Sequence, residues 1–528
     1  MNGHTTERTP LLRSAADREV EAGGNGQETP VSQWRRTLGI MLALVGVFVA
    51  GADQSFLMVT YEVIASQFDD VSDSAWVLTG YNLGYCIALP VYGKMSDSYG
   101  RKIPLAVSYC LFSIGCLISG TGVLLWQIIV GRIITGLGGA GMVALISVII
   151  TDNVLPSQVA LARSYVNVFN VSGRAFGGPL GAFITDAVGW RWSFIVQAPT
   201  ALLCCVCCMV FLTTQQSGGK TSEQAQSQPV SKKIDYLGVI TFTITISSLL
   251  ASIEFLARGR SQSLVLLGVT FFFGLVFLLI EAYHAKEPLI PLSLLKTSSA
   301  FYFVIQMLLL FGRQAHVSSL SPYFLWTKDF KTTQAAIHLI PSPIGFTVGS
   351  IIGGLVIRKT NNYKSLCIGS IAFGASMYLL ITIRWSADKQ LPWEWLYILP
   401  AGLSLGAVLA CTFTGLTVCT EQSLQATTIC MYYLSQQVGG IIGTGVSSVA
   451  LHAIFKDTLI SLLRDVPNKA EVIKNILNKF GSLGVPEMFR VAVHSSYLHS
   501  FHYVSLIPVF ATALALPLML MIPKAALK

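Results

Sequence analysis

Apolar runs long enough to cross a lipid bilayer follow one another along most of this chain, and short clusters of charged residues separate them. A helix rises 1.5 Å per residue, so about 20 apolar residues cover the roughly 30 Å hydrocarbon core of a bilayer. Of the 528 residues, 53% are hydrophobic and only 12% are charged, which excludes a series of soluble domains. The sequence therefore predicts an all-α polytopic membrane protein.

The apolar runs predict fourteen membrane spans. The first six cover 37–65, 75–96, 103–122, 124–151, 160–186 and 190–213; two follow at 235–257 and 262–283; the last six cover 299–326, 332–357, 364–384, 393–418, 426–455 and 501–523. Lys and Arg concentrate in alternate loops, which places the N-terminus in the cytosol, with Arg258 and Arg260 as exceptions. The net charge of +9 thus reflects membrane orientation and does not indicate nucleic-acid binding.

A dense polar loop lies between the second and third spans. It reads Gly-Lys-Met-Ser-Asp-Ser-Tyr-Gly-Arg-Lys, and its Gly93, Asp97, Gly100, Arg101 and Lys102 occupy the fixed positions of Gly-x-x-x-Asp-x-x-Gly-Arg-Lys. This pattern resembles the signature loop between the second and third helices of major facilitator transporters. The resemblance implies a gate on the cytosolic face that is held by charge pairs with neighbouring helix ends. On that basis Asp152, at the end of the fourth span, is the predicted partner of Arg101.

A weaker copy of this loop, from Gly354 to Lys364, follows the tenth span and lacks the acid. When the seventh and eighth spans are set aside, both copies follow the second helix of a six-helix block. The two extra spans resemble the inserted pair of the fourteen-helix drug:proton antiporter branch of the superfamily. The resemblance implies the major facilitator fold, with two six-helix bundles plus two inserted helices.

This fold divides the chain into six parts. They are a disordered cytosolic tail (1–35), an N-terminal six-helix bundle (36–213), a cytosolic loop (214–234), the two inserted helices (235–283), a C-terminal six-helix bundle (284–523) with a luminal loop at 456–500, and a cytosolic tail (524–528). Within the first tail, Glu7, Leu11 and Leu12 resemble the acidic dileucine signal that adaptor proteins read when they sort cargo to vacuoles or lysosomes. Sorting adaptors are therefore expected partners.

Asp53 lies near the middle of the first span, where an acid costs about 2.5–3.5 kcal/mol on insertion scales. It is predicted to exchange a proton with the substrate, since burial favours the neutral carboxyl and water favours the charged one. The alternative is a structural acid that is hydrogen-bonded to neighbouring helices. Arg132, in the fourth span, resembles the arginine of the family's Arg-x-x-x-Gly-x-Gly motif. This implies a part in proton transfer, and the depths of the two residues allow an Asp53–Arg132 pair.

The fifth span contains a sequence that resembles the antiporter motif of the family's fifth helix. Its fixed residues here are Gly173, Gly177, Gly178, Pro179 and Gly181, and they imply a bent, closely packed helix. The family often has glycine where Arg174 stands. A mid-span arginine needs an anion, carbonyl groups or water, so Arg174 is predicted either to bind a substrate carboxylate or to pair with a residue such as Asp53.

Other polar residues within spans are candidates for a cavity between the two halves. They are Asn170 in the fifth span, Arg313 and His316 in the ninth, and Gln436 in the thirteenth. His316 equally fits a core histidine whose hydrogen bonds are satisfied. The cluster at Cys204, Cys205, Cys207 and Cys208 lies among apolar residues without His or acid nearby, so no metal site is expected. The sequence has no phosphate-binding loop and no catalytic constellation, so neither a cofactor nor an enzyme activity is expected.

These features predict a proton-coupled secondary transporter whose partners are a small-molecule substrate, protons and the bilayer, and not nucleic acid. The chain resembles fungal vacuolar basic amino-acid transporters in three features: the dileucine-like tail, the Gly173–Arg174 pair and Trp190-Arg191-Trp192. That resemblance implies exchange of cytosolic Lys, Arg or His for luminal protons, with Arg174 on the substrate carboxylate and Asp53 on an ammonium. The alternative is an exporter of drugs, toxins or secondary metabolites at the plasma membrane. A non-transporting nutrient sensor ranks below both.

Overall fold

The computed structural model is helical in the part of the chain that it describes. It describes residues 30–68, 75–211, 235–257, 259–285, 288–295, 297–328, 330, 332–385, 393–464, 471–473, 476 and 486–523, and no strand occurs within these ranges. The predicted sorting signal at Glu7, Leu11 and Leu12 lies outside the described residues, as do the predicted loop 214–234 and the tail 524–528.

The described ranges contain fourteen long helices, labelled α1 to α14 in chain order. They are α1 (Pro30–Gln67), α2 (Ala75–Tyr99), α3 (Lys102–Thr121), α4 (Leu125–Asp152), α5 (Val159–Val188), α6 (Trp190–Phe211), α7 (Tyr236–Ala257), α8 (Gln262–Leu279), α9 (Ser299–Thr327), α10 (Pro341–Thr360), α11 (Tyr363–Trp385), α12 (Ile398–Val418), α13 (Gln425–Leu462) and α14 (Glu487–Met521). A π-helical turn, Ile280–His284, continues α8, and the short helices Leu292–Leu295 and Thr332–Leu339 flank α9.

Twelve helices in the described part of the chain are long and apolar enough to cross a membrane. The prediction of an all-α polytopic membrane protein is therefore confirmed. Among the long helices, α2 and α5 miss this apolar criterion, although they are 25 and 30 residues long. α2 ends in the charged loop sequence, and α5 carries Arg163, Asn167, Asn170 and Arg174. Such helices are stable at membrane depth only where their polar side chains face protein or water. Their composition marks them as candidate walls of an internal cavity.

Three helices run beyond the predicted spans. α1 begins at Pro30, before the predicted boundary at residue 36. α13 continues to Leu462 and α14 begins at Glu487, so both ends of the segment predicted as a loop at 456–500 are helical.

An apolar cluster explains the extension of α13 and α14. Phe455 and Leu459 stand four residues apart, share one face of α13 and are buried in the same cluster as Val493 and Tyr497 of α14. The rings of Phe455 and Tyr497 meet edge to face, with centres 5.6 Å apart. The two helices bury this apolar surface only by continuing side by side past the predicted span boundaries.

The first six and the last six helices repeat one packing scheme. In the first half, α1 packs on α5, α2 and α3 pack on α4, and α3 packs on α6. In the second half, α9 packs on α13, α10 and α11 pack on α12, and α11 packs on α14. The two halves are therefore structural repeats in the same order along the chain, as parallel transporter repeats are.

The halves meet chiefly along two helix pairs, α2 with α13 and α5 with α10. The inserted helices α7 and α8 pack on each other, and α7 also lies against α2 and α13. α7 therefore covers the junction at which one helix of each half meets the other.

Candidate functional site

A cavity of about 630 Å³ lies between the two halves. Helices α1, α2, α4 and α5 form one side of its wall, α9, α10, α12 and α13 form the other, and α7 contributes as well. Pockets for small molecules measure about 300–1,000 Å³, so the cavity has the size of a small-molecule site.

Asp53 and Arg132 form a bidentate ion pair at the wall of this cavity. Arg132 Nη1 donates to Asp53 Oδ1 at 2.8 Å and Nη2 donates to Oδ2 at 2.7 Å, and neither side chain is exposed. The guanidinium also lies 4.9 Å from the centre of the Tyr81 ring and 5.5 Å from that of Phe194. Arg132 lines the cavity, whereas Asp53 does not. In this arrangement the carboxylate of Asp53 is withdrawn from the cavity behind Arg132.

Glycines of α5 bring the backbone of that helix against α1 beside Asp53. A Cβ atom at Gly173 would collide with the carbonyl oxygen of Phe48, and one at Gly177 would collide with that of Ala52. Small residues allow this close approach of two membrane helices. Of the other predicted motif residues, Gly178 and Gly181 are buried, and Pro179 lies within the continuous helix.

The second half repeats this glycine contact. A Cβ atom at Gly439 of α13 would collide with the carbonyl oxygen of Met307 on α9, and one at Gly443 would collide with that of Phe311. The two glycines again stand four residues apart, so Gly440 occupies the position that corresponds to Arg174. The same helix contact therefore forms with arginine at this position in the first half and with glycine at it in the second half.

Arg174 and Arg313 line the cavity from opposite halves, each near the middle of its helix. The guanidinium of Arg313 lies 5.0 Å from the centre of the Phe346 ring, and the two arginines are close enough to interact electrostatically. The predicted cavity residues Asn170 and Gln436 line the same space. Guanidinium groups recognise carboxylates through paired N–H donors, so this part of the wall suits a carboxylate ligand.

His316 does not line the cavity, which corrects its predicted place there. Its buried ring packs edge to face on Tyr378 of α11, with ring centres 5.2 Å apart. Neither ring nitrogen has a hydrogen-bond partner among the described residues. At 3.6 residues per turn, the side chain three residues after Arg313 points about 60° away from it, which turns His316 towards its own half.

Arg163 is a cavity residue that the sequence analysis missed. Its guanidinium lies 4.7 Å from the centre of the Tyr433 ring and 5.0 Å from that of Phe413, and its Nη1 donates to Ser147 Oγ at 3.3 Å. The Ser147 and Tyr433 hydroxyls are themselves 2.5 Å apart. The available signal was a basic residue inside the predicted span 160–186, close enough to its end to resemble a loop charge.

The signature loop holds three charged groups together. Arg101 donates from Nη1 to Asp97 Oδ1 at 2.8 Å and from Nε to Asp152 Oδ2 at 2.9 Å, so the predicted Arg101–Asp152 contact is present. Burial alone would lower the pKa of Arg101, but its carboxylate partners raise that pKa above its ordinary value. Arg101 therefore remains charged throughout the physiological pH range. Gly100 has a φ of +82°, which glycine adopts without strain, and Lys102 then begins α3.

Asp97 also joins the two halves. It accepts hydrogen bonds from Thr427 N at 2.9 Å, from Thr427 Oγ1 at 2.7 Å and from Ala426 N at 3.3 Å. α13 begins at Gln425, so the carboxylate caps the positively polarised end of this helix. Gly93 permits the approach, because a Cβ atom there would lie 2.8 Å from Thr427 Cα. No sequence pattern identified the start of α13 as the partner of Asp97.

The copy of the loop in the second half makes the corresponding contact with the first half. Gly354 lies against Leu161 of α5, where a Cβ atom would come within 2.9 Å of Leu161 Cα. Nearby, Ser164 Oγ donates to the carbonyl oxygen of Ser350 at 2.6 Å. The face of the bundle that carries both loops, here called the loop face, is therefore closed. The halves are joined at one site by the Asp97 carboxylate, which caps α13, and at the other by the neutral hydrogen bond between Ser164 and Ser350.

Most of the charged residues in the described lining of the cavity are positive. They include Arg132, Arg163, Arg174 and Arg313, and one acid, Glu254. The charge of Arg132 is neutralised by Asp53, which lies outside the cavity lining. The remaining charge favours a ligand with an anionic group. In the part of the chain that the structure describes, no group of three His, Cys, Asp or Glu residues is arranged to hold a metal ion.

Residues 43–444 match the Major Facilitator Superfamily. The chain is 28% identical to the vacuolar membrane amino acid uptake transporter fnx2 of Schizosaccharomyces pombe, with 87% of this chain and 79% of that protein covered. It is 26% identical to the vacuolar basic amino acid transporter 1 of Saccharomyces cerevisiae, with 79% and 78% covered. It is 25% identical to the multidrug resistance protein fnx1 of S. pombe, with 94% and 92% covered.

The fold is similar to that of a solved structure, the proton:xylose symporter XylE bound to 6-bromo-6-deoxy-D-glucose. The TM-score is 0.59, with 94% of this chain and 98% of that chain covered at 14% sequence identity. At this identity the similarity concerns the fold alone.

Proposed function

The chain belongs to the major facilitator superfamily, and we propose that it is a proton-coupled antiporter that moves basic amino acids from the cytosol into the vacuole. It is a multi-pass membrane transporter and not an enzyme. The observation that carries the proposal is the fully buried Asp53–Arg132 pair, whose arginine faces the cavity between the two halves.

The Asp53–Arg132 pair gives a physical reason for coupling to protons. Removing one charge of a buried pair costs about 3–5 kcal/mol, because the other charge stays uncompensated. A proton on Asp53 therefore forces Arg132 to find water in the cavity, and it adds one positive charge to the wall. A substrate with net positive charge binds less well to that wall. Proton and basic amino acid thus exclude one another, as antiport requires.

The closed loop face assigns this structure to one state of the proposed cycle. The loop face is the predicted cytosolic face, so in this state the substrate has left contact with the cytosol. Release of the substrate to the other side lets water reach Arg132, and a luminal proton then binds Asp53. In the proposed cycle the protonated protein, which has lost this ion pair, then returns to the state in which the cavity faces the cytosol.

The substrate class rests on two supports. Relatives at 26–28% identity carry the names of vacuolar amino acid and basic amino acid transporters. Arg174 and Arg313 line the cavity, and both suit the carboxylate that every amino acid carries.

Export of drugs or secondary metabolites at the plasma membrane is the second candidate. It is favoured by a relative named a multidrug resistance protein and by the aromatic side chains of Tyr81, Tyr85 and Phe346 in the cavity wall. A lipophilic cation, however, offers no anion to Arg174 and Arg313. The excess of arginine in the wall therefore favours a substrate with a carboxylate.

Purified protein in proteoliposomes with an acidic interior tests both candidates. We expect labelled lysine, arginine and histidine to accumulate inside, and accumulation to stop when the pH difference is collapsed with an ionophore. Cationic dyes at equal concentration serve as the comparison. Gradient-driven accumulation of the dyes without that of the amino acids would replace the proposal by the second candidate.

A further inference from the structure

Arg163 of α5 is buried against the other half of the protein. The residue is 5% exposed, and its guanidinium lies 5.0 Å from the centre of the Phe413 ring and 4.7 Å from that of the Tyr433 ring. Phe413 belongs to α12 and Tyr433 belongs to α13, so both rings come from the second half. An arginine of one half thus contacts two aromatic rings of the other.

Two hydroxyl groups add to this contact. Arg163 Nη1 donates to Ser147 Oγ, and the Ser147 and Tyr433 hydroxyls also meet. Ser147 belongs to α4, so two helices of the first half hold Tyr433. Arg163 forms no ion pair with the residues that the structure describes. The contact of Arg163, Ser147, Phe413 and Tyr433, here called the inner contact, therefore depends on ring faces and hydroxyls.

The inner contact lies between the loop face and the cavity. Tyr433 is six residues further along α13 than Thr427, which places it about 9 Å deeper at 1.5 Å per residue. Arg163 and Tyr433 line the cavity, whereas Asp97 and Thr427 do not. Two layers therefore close this side of the protein. The outer layer is the contact of Asp97 with α13, and the second layer is the inner contact at the cavity wall.

We propose that Arg163 is a gating residue, whose release from Phe413 and Tyr433 opens the cavity towards the loop face. The two rings belong to the half from which α5 separates when this side opens. Burial removes the guanidinium from water, and the rings and the Ser147 hydroxyl offset that loss. Because these effects oppose each other, the inner contact can break and re-form in each transport cycle. This role does not depend on which substrate the protein carries.

Cys430 is a native reporter of the opening. It lies on α13 between Thr427 and Tyr433, and it is fully buried where the halves meet, because a Cβ atom at Gly93 of α2 would lie 3.2 Å from Cys430 Cβ. A water-soluble maleimide reaches this thiol once the halves separate at the loop face, and mass spectrometry measures the rate of labelling. Cys116 is fully buried within the first half, so its labelling reports unfolding instead.

The test measures Cys430 labelling in the purified protein in lipid nanodiscs. We expect Arg163→Gln to raise the rate about tenfold, which equals about 1.4 kcal/mol in the balance between closed and open states. Arg163→Lys restores most of the protection, because it keeps a cation beside the rings. Phe413→Leu removes one ring and raises the rate less than Arg163→Gln does. The matched control is Arg191→Gln, which removes an arginine–ring contact within the first half and leaves the rate unchanged.

An unchanged rate at Cys430 in Arg163→Gln overturns the proposal, and so do equal rates in Arg163→Gln and Arg163→Lys, because the cation then plays no part. Labelling of both Cys430 and Cys116 shows that Arg163→Gln unfolds. Phe413→Leu then decides: faster labelling of Cys430 alone supports the gate, and an unchanged rate overturns it. If the wild-type protein transports no lysine but Arg163→Gln still exposes Cys430, the gate stands and only the proposed function is wrong.

Discussion

Asp97 of the first half and Thr427 of the second half are joined by two hydrogen bonds across the loop face, at 2.9 Å to the backbone nitrogen and 2.7 Å to the hydroxyl. The same carboxylate accepts a hydrogen bond from Arg101. One charged group thus connects the signature loop to the start of α13. We expect these contacts to hold the loop face closed, so that the loop face opens only when they break.

Replacement of Asp97 by Asn is expected to change switching and not binding. The amide cannot accept all these hydrogen bonds, and hydrogen bonds to a charged group contribute about 1.5–3 kcal/mol each. We expect turnover to fall about tenfold or more, with equilibrium binding of lysine to the purified protein unchanged.

Asp152→Asn is the matched control for this prediction. It also removes a carboxylate partner of Arg101, but it leaves the link between Asp97 and Thr427 in place. Its effect on turnover should therefore be clearly smaller. An equal loss in both variants would show that the loop acts within its own half only. A loss of lysine binding in Asp97→Asn would contradict a role in switching alone.

Arg174 is expected to bind the substrate carboxylate. Because Gly440 occupies the corresponding position in the second half, Arg174→Gly keeps the helix contact and removes only the guanidinium. We expect the KM for lysine to rise about tenfold or more, in line with about 1.5–3 kcal/mol for a charged hydrogen bond, and the melting temperature to stay nearly constant. An unchanged KM would assign Arg174 a structural role.

Gly177 is expected to be essential for the contact between α1 and α5. A Cβ atom at this position would meet the carbonyl oxygen of Ala52, so Gly177→Ala forces the helices apart beside Asp53. We expect a loss of about 1–3 kcal/mol of stability, as for other overpacked sites, and reduced transport. Gly369→Ala is the control, because a Cβ atom there meets nothing within 4 Å. Thermal unfolding in detergent that is equal for both variants would contradict this account.

The proposed vacuolar location depends on the tail that precedes the described residues. Replacing Leu11 and Leu12 by Ala should move a fluorescently tagged protein from the vacuolar membrane to the cell surface, because an adaptor would no longer read the signal. Transport by purified protein should be unaffected. If the intact protein already resides at the plasma membrane, the drug-export candidate gains support.

The functional residues of this transporter could be predicted from the sequence better than the contacts between them. The loop at Gly93–Lys102, the polar α5 and the mid-span Asp53 and Arg132 were all recognisable, because charged or glycine-rich stretches stand out among apolar spans. The depth of a residue in the membrane follows from its position along the helix, so the sequence could show that Asp53 and Arg132 lie at depths that allow a pair. Whether two side chains at the same depth face each other depends on helix rotation, which residue counts do not contain.

Three features of the site were not predicted, because they depend on helix rotation and packing. Asp97 and Thr427 are more than 300 residues apart, and no periodicity connects them. His316 was a candidate for the cavity as a polar residue near the middle of a span, but the rotation of α9 turns it towards Tyr378. Glu254 lies in the first of the two inserted helices, to which the sequence analysis assigned no site residue, and the packing of α7 against α2 and α13 brings it to the cavity.

The buried pair itself makes a prediction about stability. Asp53→Asn leaves Arg132 buried without its counter-charge, which should cost about 3–5 kcal/mol. Adding Arg132→Gln in the same protein removes the second charge and should recover most of this loss, while coupling to protons stays absent. Thermal unfolding of the single and double variants measures the effect. A double variant that is less stable than Asp53→Asn would indicate that Arg132 has a second partner.

Proton movement that accompanies lysine entry tests the central claim most directly. Proteoliposomes without a starting pH difference, filled with a pH-sensitive dye, receive labelled lysine on the outside. Wild-type protein should take up lysine and make the interior alkaline in proportion, whereas the Asp53→Asn/Arg132→Gln double variant should exchange lysine with no pH change. Lysine uptake by the wild-type protein without alkalinisation, or the same alkalinisation in the double variant, would contradict proton-coupled antiport through Asp53.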